Sequence, residues 1–181
     1  MRLLTLLLMT GVSVALAQDP PKPAKPKGGA MAELKNAKGE VVGKVRLAGR
    51  GGEGVRITGE VSGLTPGDHG IHIHMTGKCE APDFASAGGH FNPTGAKHSL
   101  NTQGGHAGDL GNLKVESDGT AKIDMTVPGV MMRGTEANSL FKEGGTALVI
   151  HANADDLKSD PAGNAGGRVA CGVISRPGAA N

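Results

Sequence analysis

Apolar and polar residues alternate in several short stretches of the chain, which is the pattern of half-buried β-strands. In "GVRITGEVSGL", Val55, Ile57 and Val61 fall on one face of an extended segment. The stretches "GEVVGKVRLAG" and "GGTALVIHAN" also have strand length, and no stretch carries a long apolar stripe at helical spacing. Short strands separated by Gly-rich turns predict an antiparallel β-sandwich or barrel.

One hairpin and two long loops interrupt this pattern. The stretch "GNLKVESDGTAKIDMTV" predicts a β-hairpin, because two alternating runs flank a turn at residues 117–119. Residues 76–109 and 155–167 are Gly-rich and polar and do not alternate. Long irregular loops in a compact domain are usually functional or disordered. The first of these loops holds three histidines, a cysteine and several acids, so we expect it to be functional.

The N-terminal residues predict export. The stretch "MRLLTLLLMTGVSVALAQ" has one early charge, an apolar run and a small-x-small triplet, the pattern of a secretory signal peptide cleaved after Ala17. The run is short for a membrane span and no second span follows, so no transmembrane segment is expected after cleavage. The next stretch is rich in Pro and Lys and predicts a disordered linker. The chain thus divides into a signal peptide (1–17), a linker (18–31) and one domain (32–181).

The charge of the domain argues against nucleic acid as a partner. The formal net charge of the chain is +2. Residues 1–31 hold four of the 19 basic groups and one of the 17 acidic groups, which leaves a net charge of −1 for the rest. Nucleic-acid-binding domains carry a basic stripe, often with interleaved aromatic residues, and this sequence has none.

Cys79 and Cys171 are the two cysteines of the chain. In an exported protein such a pair predicts a disulfide bond. It would close a loop of about 90 residues, which the chain-entropy model makes worth about 4–5 kcal/mol. A cysteine-based metal site is the weaker alternative, because the two residues do not form a CxxC spacing.

Histidines concentrate in the stretch "HGIHIHM". On a strand, His72 and His74 project from one face, whereas Ile71 and Ile73 project from the other, toward the core. The histidine pair is then either a two-nitrogen clamp for a metal ion or two polar groups satisfied within the sheet. Taken alone, the pair does not decide between these interpretations.

The remaining histidines favour a metal centre. His90, His98 and His106 are spaced eight residues apart, Asp109 follows, and His151 ends the apolar run "ALVIH". Imidazole suits copper and zinc, and three histidines with one aspartate make a tetrahedral zinc set. These six histidines and one aspartate are seven residues, so two sites of four ligands each need one more ligand. Either one histidine serves in both sites, or His69 joins one of them.

Five segments resemble, in order, the signature segments of copper/zinc superoxide dismutases: "HGIHIHMTGKC", "AGGHFNPTGAKHSL", "GGHAGDLGN", "TALVIHANADDL" and "GNAGGRVACGVI". The similarity covers residues 33–176. The shortened segment before Arg168 and the export signal resemble bacterial secreted members of the family more than cytosolic ones. It implies an all-β fold: an eight-stranded antiparallel Greek-key sandwich or flattened barrel, immunoglobulin-like, with two long functional loops.

The resemblance also implies the ligands of two metals, with His90 bridging them. Copper is expected at His72, His74, His90 and His151, and zinc at His90, His98, His106 and Asp109. His69 matches a structural histidine below the copper site. Cys79 and Cys171 match the family disulfide.

Further roles follow from the same resemblance. Asp155 matches a carboxylate that bonds one copper-ligand and one zinc-ligand imidazole, here His72 and His98, while Asp156 is interpreted as a solvated neighbour. The catalytic residues are expected to be His90, which takes and returns a proton, and Arg168, which attracts and orients the anionic substrate.

The implied reaction is dismutation of superoxide to dioxygen and hydrogen peroxide by redox-cycling copper beside structural zinc, as antioxidant defence in a bacterial periplasm or outside the cell. Alternatives are a dismutase-like copper-binding or buffering protein without turnover, and a structural sandwich with only a zinc-ordered loop. The complete set of ligand positions, with Arg168, favours the enzyme. Bacterial relatives occur as monomers and as homodimers, so both states remain open.

Two departures from the family pattern stand out. Many relatives carry Glu after the histidine pair, where this chain has Met75, which we interpret as core packing, with weak copper handling as the alternative. The segment from Asp156 to Gly167 is short and carries Lys158 and Asp160 in place of a longer acidic stretch. Neither departure removes a metal-ligand position.

Overall fold

The computed structural model describes residues 29–178, which form eight β-strands joined by turns, loops and three short 3₁₀ helices. The strands are β1 (Ala30–Asn36), β2 (Val41–Gly49), β3 (Val55–Val61), β4 (Gly67–His74), β5 (Asp109–Val115), β6 (Ala121–Val127), β7 (Ala147–His151) and β8 (Arg168–Val173). The 3₁₀ helices are Gly51–Glu53, Ala85–Ala87 and Asn101–Gln103. Among residues 29–178, no helix has the length and apolar character needed to cross a membrane.

The strands form one antiparallel sheet in the order β5-β4-β7-β8-β1-β2-β3-β6. The two edge strands, β5 and β6, contact each other, so the sheet curls into a nearly closed, barrel-like sandwich. Strands that are distant in the sequence become neighbours, as where β8 lies between β7 and β1. The prediction of an all-β, eight-stranded antiparallel sandwich is confirmed.

The predicted hairpin between β5 and β6 is wrong. A tight turn does join the two strands, closed by the Glu116 N–H donating to the carbonyl of Thr120 at 2.8 Å. However, β5 pairs with β4 and β6 pairs with β3, so the turn crosses from one edge of the sheet to the other. Leu113 of β5 and Ile123 of β6 are both buried in the same core. The two strands that this turn joins therefore line that core from opposite edges of the sheet.

The alternating pattern fills the core as the sequence predicts. Val55, Ile57 and Val61 of β3 are buried, and Ile71 and Ile73 of β4 are fully buried. They join one cluster of aliphatic side chains and a single phenylalanine inside the sandwich. Each fully buried aliphatic side chain contributes about 1.5–3 kcal/mol to the free energy of folding. Aliphatic residues can therefore stabilise a core that has almost no aromatic rings.

Three long connections lie outside the strands: residues 75–108, 128–146 and 152–167. The first and third match the two predicted loops, except that Asp109 belongs to β5. The second connection was not singled out from the sequence. Within it, the Thr146 hydroxyl donates a hydrogen bond to the carbonyl of Leu140 at 2.8 Å, and both residues are buried.

A second, smaller apolar cluster holds the first loop against the outer face of the sheet. Val149 of β7 and Cys171 of β8 are register partners, and both are buried. The Cys79–Cys171 disulfide forms there, with the two Cα atoms 5.6 Å apart, and confirms the predicted pairing. The buried members of the cluster are Phe84, Ala87, Ala147, Val149 and Cys171.

Two sequence interpretations need correction. The linker predicted over 18–31 ends earlier, because Ala30 is buried in β1 and Met31 exchanges two 2.9 Å backbone hydrogen bonds with Ser175. Residues 1–28, with the predicted signal peptide, lie outside the described residues. Met75 is not core packing: the residue is 46% exposed and lies beyond the end of β4, with its side chain near Gly88.

Candidate metal centre

The outer face of the sheet carries the histidines that β4 and β7 bring together. His72 and His74 lie on one face of β4, opposite Val149 and Ala147 of β7 in the ladder. His151 ends β7, and His72 and His151 have ring centroids 4.8 Å apart. The two loops cover this face, so all three imidazoles are buried.

The first loop adds ligands from the opposite side. His90 forms an isolated β-bridge with His74, and its ring centroid lies 4.0 Å from that of His72. His98 and His106 follow in the same loop, with ring centroids 5.6 Å apart.

These side chains form two clusters that share His90. In each cluster the potential ligand atoms all lie within 4.8 Å of one another, and every residue is buried. The first cluster is His72, His74, His90 and His151, and the second cluster is His90, His98, His106 and Asp109.

In His74 and His151, one ring nitrogen donates a hydrogen bond, and the other nitrogen is left unprotonated with its lone pair free. His74 Nδ1 donates to the carbonyl of Gly88 at 2.8 Å, and His151 Nδ1 donates to that of Gly166 at 3.1 Å. The two Nε2 atoms then face each other 3.3 Å apart with no proton between them. Neutral imidazoles arranged in this way are ligands for a cation.

Asp155 joins the two clusters from beneath. One carboxylate oxygen lies 2.6 Å from His72 Nε2 and the other lies 2.9 Å from His98 Nε2. Both histidines therefore donate through Nε2 and present Nδ1 to their clusters. The left-handed residue Gly163 makes room for this carboxylate, because a Cβ there would fall 1.8 Å from Asp155 Oδ1.

Three buried ring nitrogens in the described part of the chain have no hydrogen-bond partner: His72 Nδ1, His90 Nε2 and His98 Nδ1. A buried polar atom without a partner costs about 1–3 kcal/mol. All three atoms point into the clusters, and a bound cation at each cluster would satisfy them. The donor sets agree with this, since four imidazoles suit copper, and three imidazoles with a carboxylate suit zinc.

Burial keeps the imidazoles of His74, His90 and His151 neutral. It lowers the pKa of His74 to about 2, with a smaller contribution from the neighbouring cationic and imidazole groups. It likewise lowers the pKa of His151 to about 3 and that of His90 to about 4. A metal ion thus competes with few protons for these nitrogens at neutral pH.

The two buried carboxylates stay ionised despite their burial. Desolvation raises the pKa of Asp109, but hydrogen bonds from His90 and from the Ser99 N–H outweigh it and hold this pKa below its usual value. The same balance applies at Asp155, where the histidine hydrogen bonds overcome desolvation and lower the pKa. The second cluster therefore offers one full negative charge to a cation.

Arg168 lies beside the first cluster, opposite His151 in the β7–β8 ladder. Its guanidinium donates to the carbonyl of Phe84 and, at 2.6 Å, to that of Gly88. Partial burial lowers its pKa, yet an arginine remains charged at neutral pH. The side chain is half-buried, so a cation stands next to the histidines.

His69 lies outside both clusters. It is buried, and its Nδ1 and Nε2 atoms contact the carbonyl oxygens of His151 and Thr65 at 2.6 and 2.8 Å. Neither nitrogen is left over for a metal. The exposed position of Asp156, with a carboxylate that binds its own loop, likewise agrees with its interpretation as a solvated neighbour.

Sequence reasoning missed two side chains that support the centre. Asn112 of β5 forms a pair of hydrogen bonds with the backbone of Asp155, at 2.7 and 2.9 Å. Asp160 accepts a hydrogen bond from the backbone N–H of His98 at 2.5 Å. Neither contact has a signal in the sequence, because each depends on the packing of a loop against a distant element.

Comparison with known proteins points to one family. The family model described as copper/zinc superoxide dismutase (SODC) matches residues 41–174. "Superoxide dismutase [Cu-Zn] 2" of Aquifex aeolicus (strain VF5) is 52% identical over 147 residues, which is 80% of this chain and 85% of that protein. The superoxide dismutase-like protein YojM of Bacillus subtilis (strain 168) is 36% identical over 187 residues, 96% of this chain and 95% of the relative.

Solved structures agree with the sequence relatives. The crystal structure of a SOD-like protein from Bacillus subtilis superimposes with a TM-score of 0.74 at 38% identity, over 79% of this chain and 96% of the other. The family-model match, over residues 41–174, includes β4, β7 and both loops that build the metal centre. From its sequence, its fold and these matches, the chain belongs to the copper/zinc superoxide dismutase family.

Proposed function

We propose that this chain dismutes superoxide to dioxygen and hydrogen peroxide, with copper held by the first cluster and zinc by the second. The observation that carries this assignment is the set of unpartnered ring nitrogens aimed into two clusters that share His90. In the first cluster the cation would meet His72 Nδ1 and the Nε2 atoms of His74, His90 and His151. In the second it would meet the Nδ1 atoms of His90, His98 and His106 and the Asp109 carboxylate.

When bound, copper supplies a one-electron redox couple, and zinc, which does not change oxidation state, supplies a fixed positive charge. The chain supplies rigidity around both sites. His72 and His74 are held on a strand that is hydrogen-bonded on both sides. Fixed partners at the opposite ring nitrogens prevent the imidazoles from turning.

His90 is suited to carry the proton of the reaction. Its Nδ1 contacts Asp109 Oδ1 at 2.7 Å, inside the second cluster, while its buried Nε2 faces the first cluster without a partner. A proton held at Nε2 would stand where superoxide is reduced. The hydrogen bond with Asp109 offsets part of the lowering of the His90 pKa that burial causes. The imidazole is placed to take a proton and to give it to the peroxide product.

Arg168 is suited to receive the anion. Its two carbonyl acceptors, at Phe84 and Gly88, belong to the first loop and fix the direction of the guanidinium. A fixed cation beside a narrow site raises the local concentration of a small anion and its rate of association. Arg168 therefore attracts and orients superoxide without having to rearrange.

We also propose that the protein is exported and acts in the bacterial periplasm or outside the cell. The Cys79–Cys171 disulfide supports this, because disulfides persist in oxidising compartments. The stretch ending at Ala17 has the composition of a signal peptide, and matched relatives are bacterial proteins. Mass spectrometry of the exported protein should then find a chain that begins at Gln18.

The deciding experiment measures metal content and superoxide turnover on the same sample of exported protein. One copper and one zinc per chain with fast turnover is the expected result. In a parallel sample, His151→Ala should lose copper and activity and keep zinc and the fold, because the second cluster does not include His151. Both metals bound without turnover would instead indicate a dismutase-like copper-binding protein.

A further inference from the structure

The short loop at residues 152–167 forms two hydrogen bonds with His98, a member of the second cluster. The Asp160 carboxylate accepts a hydrogen bond from the backbone N–H of His98, with Oδ1 and N 2.5 Å apart. The Asp155 carboxylate accepts one from the ring of the same histidine at 2.9 Å. Two carboxylates of one loop therefore hold His98 by its backbone and by its side chain.

This double contact sets the direction in which His98 presents its free nitrogen. With the backbone N–H and Nε2 both fixed, the ring aims Nδ1 at Asp109 Oδ2, 3.1 Å away. No hydrogen bond joins these two atoms, which agrees with both acting as ligands. Hydrogen bonds to ionised carboxylates are about twice as strong as neutral ones, so each contact is a firm constraint.

We propose that Asp160 is a positioning residue for the second cluster, which fixes the backbone of His98 and thereby strengthens zinc binding. The proposal rests on the assignment of zinc to this cluster. Asp160 does not itself belong to either cluster, and its side chain lies at the surface. Without it, the ring of His98 would pivot about its single contact with Asp155.

The other exposed carboxylate of this loop does not replace Asp160. Asp156 accepts hydrogen bonds from the backbone N–H groups of Lys158 and Ser159 and from the side chains of Ser159 and Asn164. All of these partners lie in the same loop, so Asp156 shapes the loop internally. Of Asp156 and Asp160, it is Asp160 that accepts a hydrogen bond from the first loop, at His98.

The test titrates Zn²⁺ into protein loaded with copper alone, against a chromophoric chelator. Asp160→Ala should bind Zn²⁺ about tenfold more weakly, the lower end of the loss seen when a residue behind a metal ligand is removed. Asp160→Asn should restore binding close to that of the unsubstituted chain, because its amide oxygen still accepts the His98 N–H. The copper EPR spectrum before zinc addition should be the same in all variants.

A matched control is Asp118→Ala. Asp118 is also exposed and accepts a backbone N–H, that of Thr120, at 3.0 Å, but it lies in the turn between β5 and β6. Its loss should leave zinc affinity unchanged. Should Asp160→Ala not fold, Asp160→Ser, whose shorter side chain does not reach the His98 N–H, takes its place.

The outcomes separate this proposal from the proposed function. Equal zinc affinity in Asp160→Ala (or Asp160→Ser) and Asp118→Ala would overturn the positioning role of Asp160. A failure of the unsubstituted copper-loaded protein to take up Zn²⁺ would instead overturn the assignment of the second cluster. With Co²⁺ as a probe in place of Zn²⁺, Asp160→Ala should also change the visible bands of the tetrahedral ion, and Asp160→Asn should preserve them.

Discussion

The guanidinium of Arg168 donates to the carbonyl oxygen of Gly88 over 2.6 Å, although 80 residues separate the two in the chain. The same carbonyl accepts the Nδ1 proton of His74 at 2.8 Å. One backbone oxygen thus fixes both a first-cluster imidazole and the cation beside it. The position of the first loop therefore sets the geometry of ligand and arginine together.

Replacing this arginine should slow the reaction without removing the metals. In Arg168→Ala we expect superoxide turnover to fall by about tenfold and to depend less on ionic strength, because the anion is no longer attracted at short range. Arg168→Lys should recover part of the rate, since a lysine keeps the charge but not the planar fork. Pulse radiolysis across a salt series measures both effects, and an unchanged rate would contradict the steering role.

Phe84→Ala should loosen the support of Arg168. Phe84 is 1% exposed and belongs to the smaller apolar cluster beside the Cys79–Cys171 disulfide. Its φ of +56° is a left-handed conformation that is unusual for a bulky residue. Loss of the ring should lower the free energy of unfolding by about 3 kcal/mol. Urea unfolding measures this change, and the salt dependence of turnover should weaken in the same variant.

Phe84→Leu is the control for that experiment, because it keeps most of the apolar volume. It should recover most of the lost stability and the salt dependence. If Phe84→Ala were as stable as the unsubstituted chain, the small cluster would not anchor the first loop.

Removing the disulfide should cost more stability than any single surface change. The bond closes a separation of 92 residues between Cys79 and Cys171. The double variant Cys79→Ala, Cys171→Ala is expected to lose about 4–5 kcal/mol in free energy of unfolding. Denaturant unfolding of oxidised and reduced protein gives the comparison, and a loss below about 1 kcal/mol would show that the cross-link constrains little.

The metal-free protein should become less stable as the pH falls below the ordinary histidine pKa of 6.5. Burial lowers the folded-state pKa of His90 to about 4 and that of His151 to about 3. In the unfolded chain these imidazoles take up protons first, so acid favours unfolding. Asp109 and Asp155, whose pKa values are held below the ordinary aspartate pKa of 3.8, add a further loss in stronger acid.

Thermal unfolding in the presence of a chelator, from pH 7.5 down to pH 4, checks this prediction. The midpoint should fall through this range in metal-free protein. Protein loaded with both metals is the control and should hold its midpoint to lower pH, because the ring nitrogens are occupied. A flat profile for the metal-free protein would mean that its imidazoles are not buried as neutral groups.

Much of the fold was predictable, because one face of most strands is buried and the other is not. Val55, Ile57 and Val61 show this directly. The failure at the turn around Asp118 has a physical cause. The turn residues specify a reversal of the chain, but they do not specify whether the flanking strands bond to each other or to β4 and β3.

The candidate site could be predicted as far as its chemistry lies in side-chain types and spacing. The pair His72 and His74 shares a face because strands have a period of two. Met75 was misjudged because β4 ends at His74, so alternation no longer applies one residue later. Asn112 and Asp160 act by contacts that span loops, and no local pattern encodes such contacts.

The central position of β8 has a consequence for folding. Its residues, Arg168–Val173, are the last of the strands to be synthesised, yet they lie between β7 and β1. Until they arrive, β5, β4 and β7 form one sheet fragment and β1, β2, β3 and β6 another, with no ladder between them. The barrel therefore cannot close before β8 is available to pair, and such late, long-range pairing is slow. Because β8 also carries Arg168 and Cys171, closure of the barrel is the step that brings these two residues to the first loop.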